Sequence, residues 1–182
     1  AYGSSSLTRY FDETDTARNK VYYLIRKSKS RIAELSLIQK NISELAILKQ
    51  LKSPFVAELV GLSTTPDELI FVYENVGVTD LWSYIYEYNG GAERTVDITQ
   101  MKCILASIVL GLDHIHSIGV SFRELKPEHI SIDDVGKVRL SDFKAAKRIP
   151  YTKVLPNGAL KIMTKSFTLM GTPGRFTVCR IV

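Results

Sequence analysis

Ser121-Phe122-Arg123-Glu124-Leu125-Lys126-Pro127-Glu128-His129 decides the fold, because Asp142-Phe143 follows thirteen residues after His129. The residues between them alternate apolar and polar around Asp134-Val135-Gly136. Ile130–Ile132 and Val138–Leu140 therefore read as two short strands joined by a tight turn. The pattern is a loop rich in charge, a hairpin, and then a carboxylate.

Working outward, Val21–Ile25 is β-branched and aromatic and reads as a strand. Ile32 through Leu51 carries Leu35, Ile38, Ile42, Leu45 and Leu48 at helical spacing, with Ser53-Pro54 as its stop. Phe55–Leu62 and Leu69–Tyr73 read as antiparallel strands around the turn-rich Ser63–Asp67. A short helix is expected from Thr79 to Tyr88, stopped by Asn89-Gly90-Gly91. A long helix follows, with Asp97 as N-cap and Gln100 completing a capping box. From Met101 to Ile115 its apolar residues surround nearly the whole axis, so it needs cover on several sides. Too little chain follows to supply that cover, which suggests a missing piece. Asn157-Gly158 marks a hairpin between Val154 and Leu160.

The 182 residues are 45% hydrophobic and 24% charged, ordinary values for a globular protein. The net charge of +5 and pI near 9.1 come from cations spread along the chain. A solvated surface accounts for them better than a nucleic-acid site. Cys103 and Cys179 lack metal spacing and imply no disulfide framework. The small, polar start is no secretory signal, and the apolar run Ile104–Leu112 reads as too short to span a bilayer. A soluble, cytoplasmic protein with no membrane or nucleic-acid partner is expected.

The stretch Phe122–His129 matches, without a gap, the pattern His-Arg-Asp-Leu-Lys-Pro-Glu-Asn of protein kinases. With Asp142-Phe143 and Met170-Gly171-Thr172-Pro173, the chain resembles a protein kinase of the cyclic-nucleotide-dependent serine/threonine (AGC) type, from a residual glycine loop at Gly3 onward. The resemblance implies a bilobal α+β fold. Its first lobe would cover residues 1–74, and a partial second lobe, 75–182, would end within the activation segment. It also implies ATP and Mg²⁺ as cofactors and a protein substrate or partner.

Residue by residue, the resemblance gives Asp142 the metal and Lys126 the transferring phosphate. Arg123 would dock a phosphorylated activation segment at Thr168. Glu44 would pair with the lysine that contacts ATP, or else be a solvated helix charge. For that lysine the strand reads Tyr23-Leu24-Ile25-Arg26, or one residue earlier. Arg26 is then the expected nucleotide-side cation, with Lys27 a substitute only after a shift. Either register puts a bulky side chain where the family has an alanine over adenine.

Several departures stand out. Glu124 replaces the catalytic aspartate and adds a methylene, displacing the base by roughly 1 Å, a misplacement that can cost on the order of 100-fold. His129 replaces an asparagine that ligates the second metal. Ser131 replaces a large apolar residue beneath adenine. Lys144 replaces the glycine after Asp142-Phe143; were positive φ needed there, it would cost about 1–2 kcal/mol. Lys144 has the alternative of pairing with Asp142 in place of a metal. Three readings follow: a weak or inactive Ser/Thr kinase, a non-catalytic pseudokinase module that docks partners, or a non-functional kinase fragment.

Overall fold

A computed structural model describes residues 6–11, 21–74, 77, 79–86, 97–149, 153–154 and 160–161. Gly3, Thr168, Gly171-Thr172-Pro173, Cys179 and the Asn157-Gly158 turn, all singled out from the sequence, lie outside the described residues.

Strands β1 (Ser6–Phe11), β2 (Val21–Ser28), β3 (Glu58–Thr64) and β4 (Glu68–Glu74) form an antiparallel sheet in the order β1-β2-β4-β3. Alternation puts Tyr23, Ile25 and Lys27 of β2 on one face and Leu24 and Arg26 on the other. Tyr23 stands opposite Tyr73, and Ile25 opposite Phe71. These residues pack inward, with Tyr23, Phe71 and Tyr73 buried.

The helix expected over 32–51 is two helices, α1 (Lys29–Glu34) and α2 (Ile38–Leu48). Ser36 adopts φ 52° between them, a left-handed conformation that ends the first helix. Periodicity had suggested one amphipathic face, yet Leu35, Ile38 and Ile42 are exposed. The buried side of α2 is Glu44, Ile47 and Leu48. The helix also ends at Leu48 rather than running to Ser53-Pro54.

Phe55–Ala57, expected to begin a strand, instead forms a clasp to the second lobe. Ala57 N donates to Leu140 O (2.8 Å) and Leu140 N to Phe55 O (2.9 Å). Thr79-Asp80 is a strand, β5, and the helix behind it, α3, covers Leu81–Tyr86. Asp97 caps α4 (Ile98–Ser117) as expected, but through Thr99 N (3.1 Å).

Only Ile104, Ile108, Gly111 and Ile115 of α4 are buried; Leu105, Val109 and Leu110 are exposed. By length and composition α4 is apolar enough to cross a bilayer, correcting the expectation of too short a run. Here it packs against the second-lobe hairpin. Gly111 lies so close that an added Cβ would sit 2.9 Å from Phe55 O and 3.0 Å from Leu140 Cδ1.

Beyond α4, β6 (Val120–Ser121) pairs with β9 (Lys147–Arg148). Between them β7 (Ile130–Ile132) and β8 (Val138–Leu140) make the expected hairpin, turned by Gly136 at φ 82°. Asp133 Oδ1 accepts from Val135 N and Lys137 N and fixes that turn. β10 (Lys153–Val154) and β11 (Leu160–Lys161) pair as the Asn-Gly signal predicted. Phe122 and Phe143, both buried, meet edge-on at 5.1 Å between ring centres. One core runs from Phe71 through Leu48 and Val56 to Ile115, Leu140 and Phe143, joining the two lobes.

Candidate active site

Lys27, not Arg26, carries the cation of the first lobe. Its Nζ lies 2.7 Å from Glu44 Oε2 and 3.0 Å from Asn41 Oδ1, and sits 4.3 Å from the centre of the Phe71 ring. Glu44 is buried and Lys27 largely so, with side-chain exposures of 7% and 12%, so Glu44 is no solvated helix charge. Arg26 turns to the other face and pairs with Glu68 at 3.2 Å. The expected register was thus displaced by one residue, which in a strand exchanges the two faces. Counting from Lys27, Ile25 takes the alanine position, so the bulky side chain there persists.

The second lobe supplies the carboxylates. The loop after β6 holds Arg123 at φ 67°, with its Nε donating to Ala145 O (2.6 Å). Burial lowers the Arg123 pKa from its ordinary value. Glu124 pairs with Lys126 at 3.2 Å. Pro127–His129 forms one 3₁₀ turn that buries His129. His129 Nδ1 is 3.0 Å from the Glu124 carbonyl, which can only accept, so Nδ1 carries the proton. The other ring nitrogen, Nε2, lies 3.5 Å from Asp142 Oδ2. His129 therefore ties the Glu124 loop directly to Asp142. Ser131 is buried, and its hydroxyl donates to Arg139 O (3.2 Å), leaving a small, satisfied side chain.

Asp142, like Arg123, is left-handed, at φ 55° and ψ 80°. The cost expected at Lys144 does not arise there, because Lys144 lies inside the 3₁₀ turn Phe143–Ala145 with negative φ. Aspartate tolerates the left-handed region better than most residues. Its carboxylate is then taken up by its neighbour: Oδ1 accepts from Lys144 N (3.2 Å) and Oδ2 from Lys144 Nζ (2.8 Å). Burial pushes the Asp142 carboxyl up, but the Lys144 ammonium, its hydrogen bonds and His129 outweigh burial. The group sits below the usual aspartate value. Tyr73 faces the same charges; burial first, then Glu44 and Asp142, drive its phenol far above the ordinary value.

Lys27 and Glu44 from the first lobe and Lys144 from the second line one cavity of about 520 Å³. α2 also packs against the Phe143–Ala145 turn. The geometry thus sets Lys27 and Glu44 across one cavity from Lys144, which leads through Asp142 and His129 to the Glu124 loop; Arg26 also borders that cavity, but its guanidinium pairs with Glu68. The alternation of β2 was the available signal for Lys27: with Tyr23 and Ile25 facing the core, Lys27 must follow them inward.

Magnesium takes near-octahedral oxygen ligands, mostly carboxylate and water. Here both oxygens of Asp142 accept from Lys144, and the second expected ligand, His129, offers a ring nitrogen. Among the described residues no cluster of three or more His, Cys, Asp or Glu side chains gathers around a common point. The donor set does not fit Mg²⁺ as the sequence-based assignment of Asp142 and His129 supposed.

Residues 3–168 match the protein kinase domain family model. The chain is 35% identical over 133 residues to a G protein-coupled receptor kinase 1 of Caenorhabditis elegans, covering 73% of this chain and 20% of that protein. It is 27% identical over 171 residues to a RAC family serine/threonine-protein kinase homolog of Dictyostelium discoideum, covering 94% and 35%. Against a cAMP-dependent protein kinase catalytic subunit-like protein of C. elegans it is 26% identical over 167 residues, covering 90% and 37%. The chain spans between about a fifth and two fifths of the length of such relatives. Kinase domains in general act on proteins with ATP and a divalent metal. With an ion-paired lysine and glutamate in the first lobe and a family match over most of its length, this chain belongs to the protein kinase domain family.

Proposed function

We propose that this domain binds ATP at the junction of its lobes and transfers the γ-phosphate, slowly, to serine or threonine hydroxyls of a protein. Lobes of 1–74 and 75–182 and a cytoplasmic setting belong to the same reading. The observation that carries it is the buried Lys27–Glu44 pair at 2.7 Å. A buried ion pair is weak evidence for stability alone, and this one holds a cation at the edge of a cavity. Lys27 and Lys126 would hold the nucleotide's phosphates, and Glu124 would accept the proton of the attacking hydroxyl. The Pγ–O bond to the β-phosphate breaks as the bond to the serine or threonine oxygen forms, and ADP leaves.

The slow rate follows from Glu124. Its extra methylene moves the carboxylate by about 1 Å relative to aspartate, enough to lose on the order of 100-fold. The Lys126 pair at 3.2 Å also engages that carboxylate. A second reading, a non-catalytic pseudokinase module, is favoured by the Lys144–Asp142 pair, which occupies the metal-binding carboxylate.

The test is transfer of labelled γ-phosphate to a mixed Ser/Thr peptide set. Glu124→Asp is expected to raise the rate by about tenfold to 100-fold, and Glu124→Gln to abolish transfer. Equal rates for all three proteins would remove Glu124 from the chemistry and overturn the catalytic reading. No transfer by either the native chain or Glu124→Asp would leave the pseudokinase reading.

A further inference from the structure

We propose that Lys144 takes the place of the divalent metal, so that the site binds nucleoside triphosphate without Mg²⁺. The inference rests on the ATP-binding part of the function proposed above, and not on catalysis.

A metal here would be held by the Asp142 carboxylate and would supply positive charge for a nucleotide's phosphates. Asp142 has already met that need within the chain. One residue, Lys144, satisfies both of its oxygens, through the backbone N–H at 3.2 Å and the ammonium at 2.8 Å. The second donation requires a side chain, so glycine at this position could supply only the first. The contact is well formed, in the range of a charge-assisted hydrogen bond. The Lys144 side chain is 36% exposed, against 25% for Asp142. It also borders the cavity that holds Lys27. Lys144 can thus face a phosphate while retaining Asp142, as a fixed cation of charge +1.

His129 reinforces the exchange. Its Nδ1 is committed to the Glu124 carbonyl, and Nε2 points at Asp142 Oδ2 from 3.5 Å. An imidazole held in that position supplies no hard oxygen to Mg²⁺. A divalent ion entering here would displace Lys144 from Asp142 and then sit beside a like charge. Lys27 and Lys144 both border the cavity, each held by a carboxylate, and give a polyanion two fixed cations to meet. The arrangement favours free triphosphate over its magnesium complex.

The experiment titrates ATP into the full chain, once with EDTA and once with excess Mg²⁺, following intrinsic fluorescence and heat. Saturable binding in EDTA is expected, tightened by Mg²⁺ no more than about threefold. Tightening beyond that overturns the inference while leaving the ATP-binding reading standing. No binding in either buffer overturns both. Lys144→Gly supplies a second arm, with circular dichroism to confirm its fold: Mg²⁺ should now tighten ATP by about tenfold or more. A folded Lys144→Gly chain whose affinity is as indifferent to Mg²⁺ as the native chain also overturns the role of Lys144. If the variant does not fold, the native comparison alone decides.

Discussion

Replacing Lys27 by methionine is the most informative perturbation of the fold. The substitution keeps the length and apolar stem of the side chain, and hence its packing on Phe71, but deletes the ammonium. Glu44 Oε2 and Asn41 Oδ1 then lose donors at 2.7 and 3.0 Å. The Glu44 carboxylate is only 7% exposed and cannot recover that loss from water. Breaking a buried pair from one side costs about 3–5 kcal/mol, a fifth or more of the roughly 5–15 kcal/mol stability of a typical domain. Arg26→Met is the internal control. Its pair with Glu68 is 41% and 34% exposed, so its loss should cost no more than about 1 kcal/mol. Urea unfolding followed by circular dichroism measures both. The double variant Lys27→Met/Glu44→Leu should regain most of the loss, because no charge is then buried alone. A Lys27→Met chain as stable as Arg26→Met would refute the placement of Lys27 as the inward cation.

Three further outcomes follow from the same geometry. Gly111→Ala should lower the unfolding midpoint. Alanine gains up to about 1 kcal/mol in an open helix, but the Cβ would press on Phe55 O and Leu140, an overpacking that costs about 1–3 kcal/mol. Asp142, whose pKa is depressed by folding, contributes stability that is present above the unfolded value and lost as pH falls through the folded one. Asp142→Asn should therefore flatten the acid limb of the stability profile below about pH 4, as read from urea midpoints across that range. Truncating Phe143 to alanine removes a fully buried ring stacked edge-on against Phe122 and should cost about 3–5 kcal/mol in urea unfolding.

The loop, the hairpin and Asp142 were legible in the sequence because they follow one another without a gap and the turn carries Asp134 and Gly136; the part of Asp133, which accepts from Val135 and Lys137, was not. The Asp97 cap and the Lys153–Lys161 pairing were legible for the same local reason. Longer-range features were not. Arg26 and Lys27 are adjacent cations, and only the packing of Tyr23 and Ile25 settles which one faces Glu44. Leu35, Ile38 and Ile42 keep helical spacing, but Ser36 breaks the helix and tertiary contacts leave those three exposed. The strain expected at Lys144 falls on Asp142, since the 3₁₀ turn begins one residue after it. The bond between His129 and the Glu124 carbonyl joins side chain to backbone across a folded loop, which no residue pattern announces.

A calorimetric titration of ATP into the full chain bears most directly on the account, because every proposed role depends on a nucleotide seated beside Lys27. The expected result is saturable binding at one site, weakened by about tenfold in Glu44→Gln, where Lys27 loses its charged anchor. The absence of saturable heat from the folded native chain, or equal affinity in Glu44→Gln, would contradict it.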